Sequence, residues 1–326
     1  MKIRILSVLL LFSIILTGCS NIENKKNSTE TNTSTQVSET SNDEKDLQKL
    51  TFSSMKGPTG ISLAPLKEKD NYEIQIKGSI EDQMASIQKS EADIFLIPSN
   101  LYAKIQNSKG DLKIISPNIG MPLTLIGSKN INSIEDFKGT TISLTGKGAI
   151  PEAILRKGLE SYGISEDDVN INFIQDPAEA VPLLLKDENS FALLPQPFAT
   201  ALLLKNENLI EAVDIVNLWD KMELPKIITS VIVTKEEVYK EKEEAIQEFL
   251  KDYNQGIEEL LKDPDKYANT IEEMNIVKAP IAKKSIPNLD FLKYEDDSYK
   301  KDLEKFFQVI LELNPELIGG KIPIME

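Results

Sequence analysis

Four short turns hold the residues of this sequence that could bind a small polar molecule. Two of them, Lys56-Gly57-Pro58-Thr59 and Thr145-Gly146-Lys147-Gly148, combine a hydroxyl and an amine with glycines that let a ligand approach the backbone closely. Asn100 and Gln196 place an amide in two further turns, and amides both donate and accept hydrogen bonds. Lys56 and Lys147 can balance an anion or lie in solvent. The chemistry predicted is reversible binding.

The composition removes the commonest catalytic side chains. The sequence has no histidine and one cysteine, Cys19, so Ser-His-Asp and Cys-His nucleophiles and histidine zinc sites are impossible. The acidic stretches Glu166-Asp167-Asp168 and Glu295-Asp296-Asp297 are typical of solvated turns. A formal net charge of −15 without a basic stripe argues against nucleic acid as a partner. We therefore expect a binding protein with no catalytic residue, no metal and no cofactor.

The start of the chain predicts export and a lipid anchor. Two basic residues precede the apolar run Ile5–Leu16, which is too short to span a bilayer and is typical of a signal peptide. The following Thr17-Gly18-Cys19 completes a bacterial lipobox, in which the cysteine receives a diacylglycerol on its thiol and an acyl chain such as palmitate on its amine. An ordinary signal peptide with a chance cysteine is the alternative. We expect lipidation of Cys19 and a position on the extracytoplasmic face of the cell membrane.

The segment between the anchor and the folded region is predicted to be a tether. Residues 1–18 form the signal peptide, and residues 19–46 contain no aromatic side chain and are mostly polar. Such a segment cannot bury enough apolar surface to offset the entropy cost of ordering it. We expect a flexible spacer here.

The rest of the chain alternates strands and helices in two similar series. Strand–turn–helix stretches recur as SSMKGPTGI (53–61) with SLTGKGAI (143–150), and as ADIFLIPSNLYAKI (92–105) with SFALLPQPFATALL (190–203). This alternation is typical of parallel sheets covered by helices. We predict an α/β protein with two Rossmann-like lobes and a helical C-terminal tail.

The lobe boundaries follow from the two series. The folded region, residues 47–326, is long for a single hydrophobic core and has the length expected of two lobes, each with its own core. Residues 47–124 and 232–326 are predicted to form the first lobe, and residues 125–231 the second. The chain is expected to cross between them near Pro122–Ser128 and Ile228–Thr234.

Three helical segments are predicted from apolar spacing. One is Ile61–Lys69, after the first glycine turn, and another is a long amphipathic helix over Lys235–Leu261. Between them, Ser79 is expected to cap a helix that presents Ile80, Met84 and Ile87 on one apolar face.

The four turns are predicted to share one cleft. Ligands of open α/β sheets bind outside the carboxyl ends of the strands, where helix N-termini offer unpaired N–H groups. All four turns follow strands and precede helices, so we expect Gln196 to face the region of Asn100 across a cleft. Trp219, the only tryptophan, either packs in the core or stacks on a ligand.

Several stretches resemble a bacterial transport family. MKGPTGISL, ADIFLIPSNL, INSIEDFKGTTISLTGKGAIPEAILRKGL, FALLPQPFATALL and NPELIGGKIP are similar to solute-binding lipoproteins of ABC importers, in the nitrate/sulfonate/taurine-type and thiamine-pyrimidine-like group. The resemblance implies a type II periplasmic-binding-protein architecture, a permease and an ATPase as partners, and a cleft lined by residues 56–60, 98–100, 145–149 and 195–197. Many relatives carry an acidic residue where this chain has Gln196.

The resulting hypothesis is a lipoprotein that captures a small molecule between two lobes and delivers it to an ABC importer. The ligand is either an anion such as a sulfonate or a heteroaromatic, pyrimidine-like compound, and we expect a monomer. Two alternatives stay open at this point. One is an enzyme on the same fold, similar to menaquinone-pathway enzymes, and the other is a surface-interaction or sensory lipoprotein.

Overall fold

The computed structural model describes residues 48–294 and 296–325, which belong to one compact unit, Asp46–Glu326. The predicted signal peptide, Cys19 and the tether lie outside the described residues. The described strands are β1 (Leu50–Met55), β2 (Tyr72–Lys77), β3 (Ile94–Pro98), β4 (Leu112–Ile119), β5 (Leu123–Gly127), β6 (Thr141–Thr145), β7 (Asn170–Ile174), β8 (Ser190–Pro195), β9 (Ile210–Val213) and β10 (Ser230–Lys235).

The described α-helices lie between and after these strands. They are α1 (Pro58–Ile61), α2 (Ile80–Gln88), α3 (Ser99–Ser108), α4 (Ile150–Ser161), α5 (Ala180–Lys186), α6 (Phe198–Lys205), α7 (Ile215–Lys221), α8 (Glu236–Glu241), α9 (Glu243–Lys262), α10 (Pro264–Glu273), α11 (Ala279–Ser285) and α12 (Ser298–Leu313). No helix of residues 48–294 and 296–325 is long and apolar enough to cross a membrane.

The strands form two five-stranded sheets with matching topology. The first sheet has the order β2-β1-β3-β10-β4 and the second the order β7-β6-β8-β5-β9. In the first sheet β1 pairs in parallel with β2 and β3, and in the second sheet β6 pairs in parallel with β7 and β8. One strand of each sheet, β10 or β5, runs antiparallel to both of its neighbours. The predicted α/β class with two Rossmann-like halves is confirmed.

The short connection from β4 to β5 brings the carboxyl edges of the two sheets together. Ile119, the last residue of β4, pairs with Ser230, which also pairs with Pro98 at the carboxyl end of β3. Leu123, the first residue of β5, pairs with Pro195 at the carboxyl end of β8. Three residues separate Ile119 from Leu123, and an extended chain spans at most about 3.5 Å per residue. The carboxyl ends of β3 and β8 therefore lie near each other.

Helix α12 packs against both halves of the protein. Its Tyr299 donates a hydrogen bond to the backbone oxygen of Ile114 in β4, at 3.3 Å. Phe306 and Phe307 belong to one core cluster that includes Phe95 of the first sheet and Leu144 of the second. The predicted lobe boundaries at residues 124/125 and 231/232 remain predictions.

The predicted helix over Ile61–Lys69 is wrong. The chain forms the one-turn helix α1 and then a 3₁₀ turn over Ala64–Leu66. Pro65 lies inside the predicted span, where its missing N–H and its ring would interrupt a continuous α-helix.

The apolar face predicted for α2 is also wrong in part. Ser79 caps the helix as expected, but Ile80 and Met84 are exposed and only Ile87 is buried. The other two buried positions, Gln83 and Ser86, are polar because β1 presents Ser53 to this helix. The Ser53 hydroxyl donates to Oε1 of Gln83 at 2.8 Å, and the Gln83 amide donates back to the Ser53 backbone oxygen at 3.0 Å.

The helix predicted over Lys235–Leu261 is divided into α8 and α9. The division falls at Lys242, whose backbone is not helical (φ −119°, ψ 25°). The Lys242 ammonium lies 2.8 Å from a carboxylate oxygen of the mostly buried Asp93, at the start of β3. This ion pair holds the non-helical residue between α8 and α9 against the first sheet.

Candidate ligand-binding cleft

The turns predicted to bind a ligand lie side by side at one edge of each sheet. Phe52 pairs with Ile94 and Ser53 with Phe95, so continuing the parallel register places Lys56 beside Pro98. In the second sheet Leu144 pairs with Leu193, which places the turn after Thr145 beside Pro195. The structure thus brings the turns of each series together.

Backbone hydrogen bonds connect the two sets of turns through the crossing segments. The N–H of Ser99, in the turn after β3, donates to Thr229 O at 2.9 Å, and the Thr229 N–H donates to Ile119 O at 2.9 Å. The N–H of Gln196 donates to Pro122 O at 2.8 Å. The Thr229 hydroxyl donates to the Gly120 carbonyl at 2.6 Å. Residues 119–122 and 229–230 therefore form the floor between the two edges.

A third segment supports this floor. The Gly120 N–H donates to the backbone oxygen of Asp290 at 2.8 Å, and the Met121 N–H donates to the Asp290 carboxylate. The N–H of Leu292 donates to Asn118 O at 3.0 Å. The connection from β4 to β5 is thus hydrogen-bonded on both sides, through the N–H groups of Gly120 and Met121 and the carbonyls of Gly120 and Pro122.

A buried polar cluster lies under the first glycine turn. The Asn118 amide donates to the hydroxyls of Tyr253 and Ser62, and its oxygen accepts a hydrogen bond from the Ser230 hydroxyl at 3.1 Å. The Ser62 hydroxyl donates to Thr59 O at 2.7 Å. Burial raises the pKa of Tyr253 to about 12, so its ring stays neutral.

This cluster was missed by sequence reasoning. Asn118, Tyr253 and Ser230 lie far apart in the sequence and share no motif. The strand that holds Asn118 has the mixed sequence LKIISPNI, so no local signal marked this residue.

The second glycine turn holds a carboxylate of its own. Glu152, which is 6% exposed in the first turns of α4, accepts the Gly148 N–H on Oε2 at 2.6 Å. Its Oε1 accepts from Arg156 Nε at 2.7 Å, and Arg156 Nη1 lies 2.6 Å from Glu166. The Gly148 carbonyl accepts from Asn314, just after α12, at 2.8 Å. Hydrogen bonds therefore hold both the N–H and the carbonyl of Gly148.

The Gln196 amide is engaged inside the second half of the protein. Its Nε2 donates to the Thr124 hydroxyl at 2.9 Å, and its Oε1 accepts the Thr200 hydroxyl at 2.7 Å. The side chain is 2% exposed, and the Gln196–Pro197 peptide is cis. This corrects the expectation that the amide faces Asn100, because these bonds hold it against β5 and α6.

The other predicted polar residues do not share one environment. Lys56 and Lys147 are exposed, and the Lys147 ammonium lies 5.7 Å from the centre of the Phe173 ring. Asn100 is partly buried and lines a groove of about 380 Å³ beside α2 and α3. The Thr59 hydroxyl donates to Met55 O at 3.3 Å. Thr145 and Gly146 lie at the edge itself.

Trp219 lies in the core of the second half and outside the cleft. It is 6% exposed, and its indole N–H donates to the Pro225 backbone oxygen at 2.9 Å. The aromatic ring packs against α4. Of the two predicted roles, the structure places it in core packing, because an indole paired in this way is held away from the turns.

Solved structures share this architecture. An ABC transporter from Parabacteroides distasonis has a TM-score of 0.71 at 20% sequence identity, with 85% of this chain and 97% of that chain covered. The periplasmic aliphatic sulphonate binding protein SsuA from Escherichia coli has a TM-score of 0.66 at 15% identity, covering 86% and 92%. The fold is that of the type II periplasmic binding proteins. The predicted fold is confirmed.

The sequence comparisons cover less of the chain. Residues 118–267 match the family model described as NMT1/THI5 like, a range that runs from the end of β4 through β5 to β10 and α4 to α9 and into the start of α10. No curated protein matches this sequence. A ligand-binding component of an ABC-type import system from Staphylococcus aureus shares the type II fold, with a TM-score of 0.57 at 13% identity over 80% of this chain and 91% of that chain.

Proposed function

We propose that this protein is the solute-binding component of an ABC importer and captures a small molecule between its two lobes. The observation that carries the proposal is the pair of turns on each sheet, held at the carboxyl edges by two crossing segments, which residues 290–292 support, in a type II fold. A ligand that contacts both edges favours the closed arrangement by its differential affinity. The crossing segments then act as the hinge.

The partners follow from this role. A permease and an ATPase receive the solute, and the protein acts as a monomer on the extracytoplasmic face of the membrane. The lipobox at Cys19 supports a lipid anchor there. We keep the lobe boundaries at residues 47–124 with 232–326, and 125–231, as part of the proposal.

The anchor is tested by replacing its cysteine. Cys19→Ala removes the only thiol that can carry a diacylglycerol, so we expect the protein to move from the membrane pellet to the soluble fraction. Fractionation of cells that produce either form, with metabolic labelling by a palmitate analogue, checks this. Membrane association that persists in the Cys19→Ala protein would contradict the lipoprotein proposal.

Among the two ligand classes, the geometry favours an uncharged heteroaromatic compound over a sulfonate. The N-terminus of α4 is the strongest anion site expected in the second lobe, but Glu152 already supplies a carboxylate to the Gly148 N–H there. The sequence has two arginines, and the one in the folded region, Arg156, is bound to Glu152 and Glu166. Thr59, Thr145 and backbone groups suit a neutral polar ring.

The function is tested by ligand binding to the purified protein. Uncharged nitrogen heterocycles, alkanesulfonates and nitrate are compared by thermal shift and calorimetry. A ligand at 100 times its Kd stabilises the folded form by about 2.7 kcal/mol. We expect this shift with a heterocycle; a shift only with sulfonates would reverse the choice of ligand class, and none with any solute would count against transport.

A variant pair locates the binding site. Gly57 and Gly163 both have positive φ and open space where a Cβ would lie, but only Gly57 belongs to a cleft turn. Gly57→Ala should reduce ligand affinity by about tenfold or more, because the strained turn no longer approaches the ligand. Gly163→Ala, after α4, should leave affinity unchanged.

A further inference from the structure

A small apolar cavity, partly open to solvent, lies in the second half of the protein between α4 and α7. Its volume is about 70 Å³, and its walls include Leu155, Leu159, Leu218 and Trp219 from the two helices and Leu193 from β8. Met121, from the segment that connects β4 with β5, also lines it. None of the predicted cleft turns contributes a wall residue among those described, so the cavity shares Met121 with the floor of the proposed cleft but none of its turns.

The walls offer carbon atoms and almost no hydrogen-bonding groups. Two wall residues carry a nitrogen or oxygen atom in the side chain, and each of these atoms is hydrogen-bonded within the protein. The Tyr162 hydroxyl donates to Leu218 O at 2.6 Å, and the Trp219 indole N–H donates to Pro225 O at 2.9 Å. A water molecule needs two to four polar partners to occupy a buried site. This space therefore disfavours water and suits a molecule without polar groups.

An unfilled cavity of this kind also lacks dispersion contacts. The atoms that line a void lose partners on one side, so a guest that fits restores contacts at little desolvation cost. Apolar cavities lined by leucine, isoleucine and phenylalanine stay dry and bind benzene or xenon. The volume here is near that of one small hydrocarbon ring or a short alkyl group.

We propose that this cavity is a second ligand site, which takes one small apolar molecule such as an aromatic hydrocarbon or a short alkyl chain. The site does not depend on the proposed transport function. Because Met121 belongs to the crossing segment, the guest would lie against the end of the hinge.

Gly158 provides a variant that fills the cavity without disturbing the fold. It lies inside α4 and lines the cavity, and a Cβ built there would be 3.9 Å from Cζ3 of Trp219, an ordinary van der Waals contact. Alanine is also favoured over glycine in a helix interior. Gly158→Ala should therefore fold and be at least as stable as the native protein, with less space for a guest.

The test uses xenon and benzene as probes on the full chain. Trp219 is the only tryptophan and forms part of the wall, so its fluorescence reports on the cavity, and xenon is a heavy-atom quencher. We expect saturable quenching by xenon that benzene suppresses by competition. Gly158→Ala should weaken binding by about fivefold, which corresponds to roughly 1 kcal/mol.

Asn269→Ala is the matched control. Asn269 is exposed on α10, so this substitution raises helix propensity without touching the cavity. Binding in Asn269→Ala should equal that of the native protein. Absence of saturable binding in the native protein would overturn the proposal, and so would equal binding by the native and Gly158→Ala proteins.

Discussion

Asn118 connects more parts of the candidate site than any residue predicted from the sequence. Its side chain pairs with Ser62 behind the first glycine turn, with Tyr253 of α9 and with Ser230 of β10. Its backbone oxygen accepts from the N–H of Leu292, in the segment that supports the floor of the cleft. All the side chains in this cluster are buried, and the Ser62 and Ser230 hydroxyls also contact the backbone oxygens of Thr59 and Ile97. The Asn118 amide is the group that joins the three hydroxyls.

The first prediction concerns this residue. Asn118→Ala leaves three buried hydroxyls without their amide partner, so we expect the free energy of unfolding to fall by about 3 kcal/mol. Tyr253→Phe removes one hydroxyl and leaves Asn118 its other partners, so we expect a loss of about 1 kcal/mol. Urea unfolding of both variants measures the difference. Equal losses would contradict the view that the amide is the centre of the cluster.

At the scale of elements, the glycine turn before α4 is held in place by contacts within the protein. Glu152 binds the Gly148 N–H from within the helix, Arg156 fixes the carboxylate, and Asn314 holds the Gly148 carbonyl from the end of α12. Gly148 has a φ of +73°, which glycine adopts without steric cost. These contacts fix the shape of the turn without a ligand.

The second prediction tests this turn by hydrogen exchange. Glu152→Ala removes the acceptor of the Gly148 N–H, so exchange at the amides of residues 146–149 should accelerate by about tenfold. Glu166→Ala is the matched control, because Glu166 is largely exposed and binds Arg156 without contacting the turn. Unchanged exchange in Glu152→Ala would show that the turn is held by other contacts.

At the scale of the whole molecule, the ionisable groups predict a wide pH range of constant stability. The sequence has no histidine, so no imidazole titrates near neutral pH. Burial raises the pKa of Tyr102 and Tyr253 to about 12. Hydrogen bonds from Tyr267, Lys266 and Gln255 lower the pKa of Glu259 to about 2.

The third prediction follows from the signs of these shifts. The raised tyrosine pKa values stabilise the fold fully below pH 10.0, the ordinary value, and this contribution is lost as the pH rises toward about 12. The lowered pKa of Glu259 stabilises the fold above pH 4.5, and this contribution is lost as the pH falls toward about 2. Burial and the nearby Asp214 carboxylate raise the pKa of Glu211, so a small loss is expected as the pH rises just above 4.5, and melting temperatures should be flat from neutral pH to pH 10.0. A step near neutral pH would contradict the prediction.

The sequence alone determined the alternation of strands and helices and the four turns. Buried strands such as β3 and β8 are almost entirely apolar, and glycine and proline mark where they end, so this information is local. The doubled series was likewise visible as two similar stretches of sequence. Both the α/β class and the carboxyl-end turns could therefore be predicted.

The tertiary structure decided which side chains are free to meet a ligand. Gln196 looked like a contact residue, but its amide is satisfied by Thr124 and Thr200. Trp219 looked like a stacking ring, but it lines a separate cavity. Hydrogen-bond partners and cavity walls come from residues distant in the chain, and their pairing depends on how the sheets and helices pack. The sequence near each residue does not show which distant residues will pack against it.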